Sequence, residues 1–172
     1  LSYLLNLKER GYVATTQARK VAAAKSFFSF MVTEGNLREN PTENVGSPNV
    51  GQSLPKPLSI SQVRQLLEQP LKLSTPEAKR DGAMLALLYA SGMRGSELIS
   101  LNLDDMIDDG FVRCFGKGHK ERLIPIYRQA VLTVEEYSNE ARPRLAGNNS
   151  EEKALFLNHR GERLTRQGFW QI

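Results

Sequence analysis

Residues 36–58, NLRENPTENVGSPNVGQSLPKPL, hold four prolines and two glycines among mostly small polar side chains. Proline fixes φ and lacks a backbone N–H, so no regular helix or central strand can run through such a stretch. The chain divides here, and each side must find its own core. A length of 172 residues with 40% apolar side chains leaves room for two small domains. The boundaries expected are a first domain over 1–45, a linker over 46–58 and a second domain over 59–172.

In the first part, Leu1 to Arg10 reads as helix with Leu1, Leu4 and Leu5 on one side, stopped by Gly11. Thr15 or Thr16 then caps a second helix running to Glu34, with Gly35 as its stop. Its stripe of Val21, Ala24, Phe27, Phe28 and Met31 is core rather than a stacking platform, though two helices cannot by themselves enclose Phe27, Phe28 and Phe30.

In the second part, Ser59 caps a helix through Glu68, and Thr75-Pro76-Glu77 starts another with proline at its favoured first position. That helix ends in MLALLYASG, apolar nearly all round, and is expected to be the buried centre. A short helix from Gly95 to Leu101 precedes three strand-like segments, Asp104–Ile107, Phe111–Phe115 and Arg122–Ile126, separated by glycine-bearing turns. Helix returns from Arg128 to Ala141, an apolar stretch follows at Ala154–Leu157, and Thr165 opens a last helix in which Trp170 is expected in the core. The fold class expected is mainly α with a small three-stranded antiparallel β-sheet.

Composition removes several function classes. No apolar run approaches the length that crosses a bilayer. The single cysteine, Cys114, cannot form an internal disulfide, and two histidines without ligand spacing offer no metal site. A cytoplasmic protein without metal or small-molecule cofactor is expected. The net charge of +4 is uneven: residues 1–57 carry seven Lys/Arg against four Asp/Glu, and the remainder sixteen against fifteen. A polyanion partner is compatible with this balance but not required by it.

Two cations stand out between Tyr89 and Ile126. Arg94 lies in a joint flanked by Gly92 and Gly95, and Lys117 lies at a hairpin tip between Gly116 and Gly118. Cations held on defined backbone at the edge of a fold suit a phosphodiester. Each has a plainer reading: Arg94 as a helix cap or a partner of Glu97, Lys117 as a solvated turn residue. Arg122 can equally pair across strands with an acidic side chain.

Five segments in register resemble the tyrosine recombinase/integrase family, most nearly its Xer-type site-specific recombinases. They are GYVATTQARKVAAAKSFFSFMVTEG, ENPTENVGSPNVGQSLPKPLS, LLYASGMRGSELISLNLDD, GKGHKERLIPI and LTRQGFW. The resemblance implies a helical core-binding domain ending near residue 45, and a catalytic domain from residue 59, which clamp duplex DNA from opposite sides. It implies a tetramer on paired DNA sites, and strand cleavage and rejoining through a 3′-phosphotyrosyl link without metal. Arg94 matches the family's first catalytic arginine, Lys117 its hairpin lysine, and Glu97 the acidic residue that accompanies the arginine. Arg94 would stabilise charge on the phosphate oxygens and Lys117 would protonate the leaving 5′ oxygen.

DNA contacts are expected from Thr16, Arg19 and Lys20 on the first turns of a helix, from His119, Lys120 and Arg122 around the hairpin, and from Thr165, Arg166 and Gln167 at a helix start. A cap with a solvated basic face reads the first group equally well, and an ordinary N-cap reads the last. His159 is followed three places later by Glu162, so it is not the family's His-x-x-Arg, and none of Tyr3, Tyr12, Tyr89, Tyr127 and Tyr137 sits in the nucleophile's context. The expectation is therefore an internal fragment of a recombinase, inactive by itself. The alternatives are a DNA-binding or regulatory module without catalysis, and a helical transcription factor in which Lys117 has no role.

Overall fold

The computed structural model describes residues 2–51, 56–107, 110–116, 118 and 120–172. Lys117 and His119, both singled out above, lie outside the described residues, as do Asp108 and Asp109 of the expected turn. The chain separates into two compact units, Leu1–Pro57 and Leu58–Ile172.

The first unit is built on α1 (Ser2–Glu9) and α2 (Ala14–Thr33). Gly11 turns the chain between them with φ +69°, a left-handed conformation that suits glycine. Neither threonine caps α2. The helix starts earlier, behind an extended Val13 with no side-chain cap, while Gln17 Nε2 donates to the Tyr12 carbonyl at 2.6 Å. Thr16 is thus inside the first turn, where its hydroxyl cannot serve as the cap. Leu7 and Val21 are buried, whereas Leu5, Phe27 and Phe30 are each more than half exposed. Two helices bury one shared seam and leave the other faces open. Past α2 the chain folds back: Asn36 and Leu37 donate to the Met31 carbonyl, and Asn40 Nδ2 donates to Ser29 Oγ at 3.0 Å. The front of the proline-rich stretch is therefore tied to α2.

The second unit opens with α3 (Ile60–Glu68), capped by Ser59 in a reciprocal capping box with Gln62. Thr75 caps α4 (Pro76–Ser91), which places Pro76 in its first turn and ends at Gly92 with φ +61°. Ala83, Met84 and Leu87 of α4 are buried at the centre of the core. Tyr89, expected inside, is 62% exposed because it points off the far side of the helix. Then come α5 (Gly95–Ser100), a 3-10 turn at Leu103–Asp105 where strand was expected, and β1 (Met106–Ile107), β2 (Phe111–Phe115) and β3 (Glu121–Pro125). The sheet is antiparallel in the order β1-β2-β3, with Cys114 opposite Arg122. Val112 and Cys114 face the core while Phe111 and Phe115 face out, as period-two alternation demands.

Helix α6 (Arg128–Glu136) continues through a π-helical turn at Tyr137–Ala141 into α7 (Arg142–Ala146), five residues beyond the expected end. Pro143 has no N–H to offer the preceding turn, and the helical ladder widens immediately before it. The apolar stretch Ala154–Leu157 is wholly buried and threads the core. Its backbone is satisfied by Leu155 N–H to the Leu101 carbonyl at 2.9 Å and by Leu164 N–H to the Phe156 carbonyl at 3.0 Å. Phe156 stacks on Tyr137 at 5.6 Å between ring centres. The last helix, α8 (Arg166–Trp170), is capped by Thr165, and Trp170 is 78% exposed rather than in the core. Phe169 takes the inward position instead.

Candidate functional site

The joint between α4 and α5 sets up the site. Gly92 ends α4 in the left-handed region, Met93 plugs the core, and Arg94 follows in extended backbone as the residue before α5. An extended residue between two helices projects its side chain outward, and that of Arg94 is 73% exposed. Gly95 has a different purpose from the close phosphate approach its position suggests. A Cβ there would lie 2.5 Å from Phe169 Cε1, so glycine admits the Phe169 ring against the start of α5.

Beneath Arg94 sits Glu97, with a side chain only 7% exposed. Its carboxylate accepts from the Arg94 backbone N–H at 2.9 Å through Oε2, and from Arg94 Nη1 at 3.2 Å through Oε1. Arg122 Nη2 reaches the same Oε1 at 2.9 Å from β3. The Arg94 amide first, with the Arg94 and Arg122 guanidiniums behind it, holds the Glu97 carboxyl below the usual carboxylate range despite burial. Glu97 is therefore a fixed anion shared by two arginines. Arg122 Nη2 also donates weakly to Cys114 Sγ at 3.7 Å, and burial pushes the Cys114 thiol up, so it stays protonated at neutral pH.

The plainer reading of Arg94 thus holds in part, since it pairs with Glu97, whereas Arg122 finds its acidic partner on α5 and not across the strands, where Cys114 faces it. The pairing uses one of the five N–H donors of the Arg94 guanidinium, and among the described residues the other four have no side-chain or backbone acceptor. Arg94 lines an open cleft of about 380 Å³ together with Ser96, Glu97, Ser100, Phe115 and Gly116. Ser96, Ser100 and Phe115 had no signal in the sequence, because only the folded hairpin brings Phe115 beside α5.

The remaining candidates scatter. Lys120 is exposed on the hairpin, and its carbonyl accepts from Gly116 N–H at 2.9 Å. Thr165 caps α8 by accepting from Gly168 N–H at 3.0 Å, with Arg166 and Gln167 exposed beside it. In the first unit Arg19 is exposed, Thr16 is half-buried, and Lys20 places its ammonium 4.9 Å from the centre of the Tyr12 ring. Among the described residues no group of three or more His, Cys, Asp or Glu side chains can hold a metal ion, and no helix is long and apolar enough to cross a membrane.

The profile of the phage integrase family matches residues 56–172. Tyrosine recombinase XerC of Roseiflexus castenholzii is 51% identical over 174 residues, which cover 100% of this chain and 55% of that protein. Tyrosine recombinase XerD of Oceanobacillus iheyensis is 43% identical over 100% of this chain and 58% of its own length. A lambda integrase tetramer bound to a Holliday junction superposes with a TM-score of 0.66 at 16% identity, covering 99% of this chain and 46% of that one. The chain belongs to the phage integrase family, with tyrosine recombinases of the Xer type among its relatives. It spans about half the length of the relatives it matches.

Proposed function

We propose that this chain is the part of a site-specific tyrosine recombinase that grips the scissile phosphate of duplex DNA. The observation that carries the reading is Arg94: exposed, lining an open cleft, and fixed from beneath by a buried carboxylate. A guanidinium so held presents its open edge to two non-bridging oxygens at once, and needs little rearrangement as charge builds on them. In the full-length recombinase a tyrosine oxygen attacks phosphorus, the P–O5′ bond breaks, and the phenolic proton leaves to a base. Lys117 gives the departing 5′ oxygen its proton. The recombinase acts as a tetramer on paired sites, with the first unit as the helical core-binding domain. The lambda integrase tetramer on its Holliday junction supports DNA and this assembly as the partners.

The 172-residue chain alone binds DNA without cutting it, since none of its tyrosines has the sequence context of the nucleophile. The test is a nicked suicide duplex, selected by the full-length recombinase from a randomised pool and offered to both proteins. Covalent adduct is expected only with the full-length protein. Replacing the 5′ bridging oxygen by sulfur, which leaves without a proton, is expected to restore cleavage by K117A. A covalent adduct on the 172-residue chain, or no rescue by sulfur, overturns the corresponding assignment. The alternative of a regulatory DNA-binding module predicts no adduct from either protein.

A further inference from the structure

The hairpin carrying Lys117 and the joint carrying Arg94 belong to different elements, yet a two-part catalytic site needs them in fixed register. Among the described residues one charged link joins them: Arg122 of β3 to Glu97 of α5, at 2.9 Å. Three details make this more than a surface ion pair. Arg122 pairs directly opposite the buried Cys114, so its side chain leaves the hairpin on the same face as Cys114 before reaching out to 47% exposure. Its guanidinium lies over Gly116, where an added Cβ would come 3.7 Å from Cζ, beside the loop that bears Lys117. It also takes the same Glu97 oxygen that Arg94 takes.

We infer that Arg122 is a positioning residue, locking the β2–β3 hairpin to the Arg94 joint through Glu97, rather than a DNA contact. When Arg94 turns its Nη1 toward a phosphate, Glu97 Oε1 loses one of its two guanidinium partners. Arg122 retains the carboxylate, so Glu97 Oε2 stays on the Arg94 amide and the joint does not move. Gly116 needs no side chain for the same reason: the guanidinium covers it and anchors the base of the loop. The inference rests on the phosphate-clamp reading of Arg94, and deepens it by naming what ties the neighbouring hairpin to that clamp.

The experiment uses the full-length recombinase on the selected suicide duplex, comparing R122A, R122K, E97Q and the double variant, with R94A as the control. Single-turnover cleavage by R122A at saturating protein is expected to fall up to ~100-fold, the scale of a misplacement of about an ångström. Its duplex affinity and the salt dependence of that affinity are expected to stay within about twofold of the parent. R122K, which keeps the charge and loses the fork, is expected to recover part of the rate. In the E97Q background, removing Arg122 is expected to cost little more, because both act through one oxygen.

The inference is overturned if R122A weakens binding, lowers the salt slope by about one and cleaves normally once saturated, which is the behaviour of a phosphate contact. Additive losses from R122A and E97Q overturn it as well. The underlying clamp reading fails in a distinguishable way: R94A then cleaves like the parent, whatever R122A does. Circular dichroism melts of R122A and R122K separate loss of register from loss of fold, since a partly exposed ion pair contributes little to global stability.

Discussion

Arg94 and Arg142 are the same side chain put to opposite uses. Arg142, at the start of α7, is 7% exposed and spends its donors on carbonyls: Nε gives to Ala154 O at 3.0 Å, and Nη2 gives to Ala154 O at 2.7 Å and to Glu152 O. Arg163 does likewise with the Ile99 and Leu101 carbonyls, both at 3.0 Å, and Arg80 with Leu157 O at 2.9 Å. These three arginines satisfy backbone in and around a segment that passes through the core without a regular sheet partner. Arg94 has its amide and one Nη tied to Glu97 and the rest of its fork turned outward. A saturated arginine holds structure; one held on a single side is available to a ligand.

That contrast is broken most severely by exchanging the two losses. R94A in the full-length recombinase is expected to lower cleavage by ~10³-fold, as when a fixed transition-state donor is removed, while its melting temperature stays near that of the parent. R142A is expected to do the reverse on the 172-residue chain. It strands the buried Ala154 carbonyl and the part-buried Glu152 carbonyl, and a stability loss of about 3 kcal/mol follows, read by urea denaturation. If R94A melts early while R142A does not, the division of labour is wrong.

A smaller effect is expected at Gly95. Alanine near a helix start gains at most about 1 kcal/mol in propensity, but its Cβ would stand 2.5 Å from the Phe169 ring. Overpacking costs about 1–3 kcal/mol and wins, so G95A is expected to melt lower, and the Phe169 ring signals to shift in NMR spectra. G95A combined with F169A is expected to cost less than the sum of the two alone, because the ring that clashes with the added Cβ is gone. A G95A melt at or above the parent's would remove Phe169 as the reason for the glycine.

The smallest effect concerns acid. Glu97 has its folded-state carboxyl lowered, first by the Arg94 amide. Its contribution is therefore present above the ordinary carboxylate range and lost as pH falls through the lowered folded value. Melts from pH 7 down to ~3 are expected to show E97Q below the parent at neutral pH, with the gap closing on acidification. A gap that widens with acid contradicts an ionised, hydrogen-bonded Glu97.

Much of this was legible in the residues. Ser59 and Thr75 cap as their spacing implies, Gly92 stops α4 in the conformation glycine favours, and the alternation over Phe111–Phe115 gives the strand and its inner face. Arg94 over Glu97 follows from a helix start with an acid three places on. What was not legible depends on distant chain. The helix after Arg128 overruns its apparent end because tertiary packing of Tyr137, Ala141 and Leu145 outweighs local stop signals. Trp170 and Phe169 exchange inside for outside because a five-residue helix has too few positions to settle its face, and the gap at Gly95 decides it. The structural arginines 80, 142 and 163 escaped notice for a similar reason. Their acceptors are backbone carbonyls on other segments, which no side-chain pattern announces.

The oxygen shared at Glu97 has one more consequence. Two guanidiniums around one carboxylate leave the cleft with a single surplus positive charge from this trio, rather than two. An anion entering the cleft meets that one surplus charge from the trio and not an undiluted double charge. The carboxylate acts as a built-in antagonist, tempering the hold of two arginines on any anion that reaches the cleft.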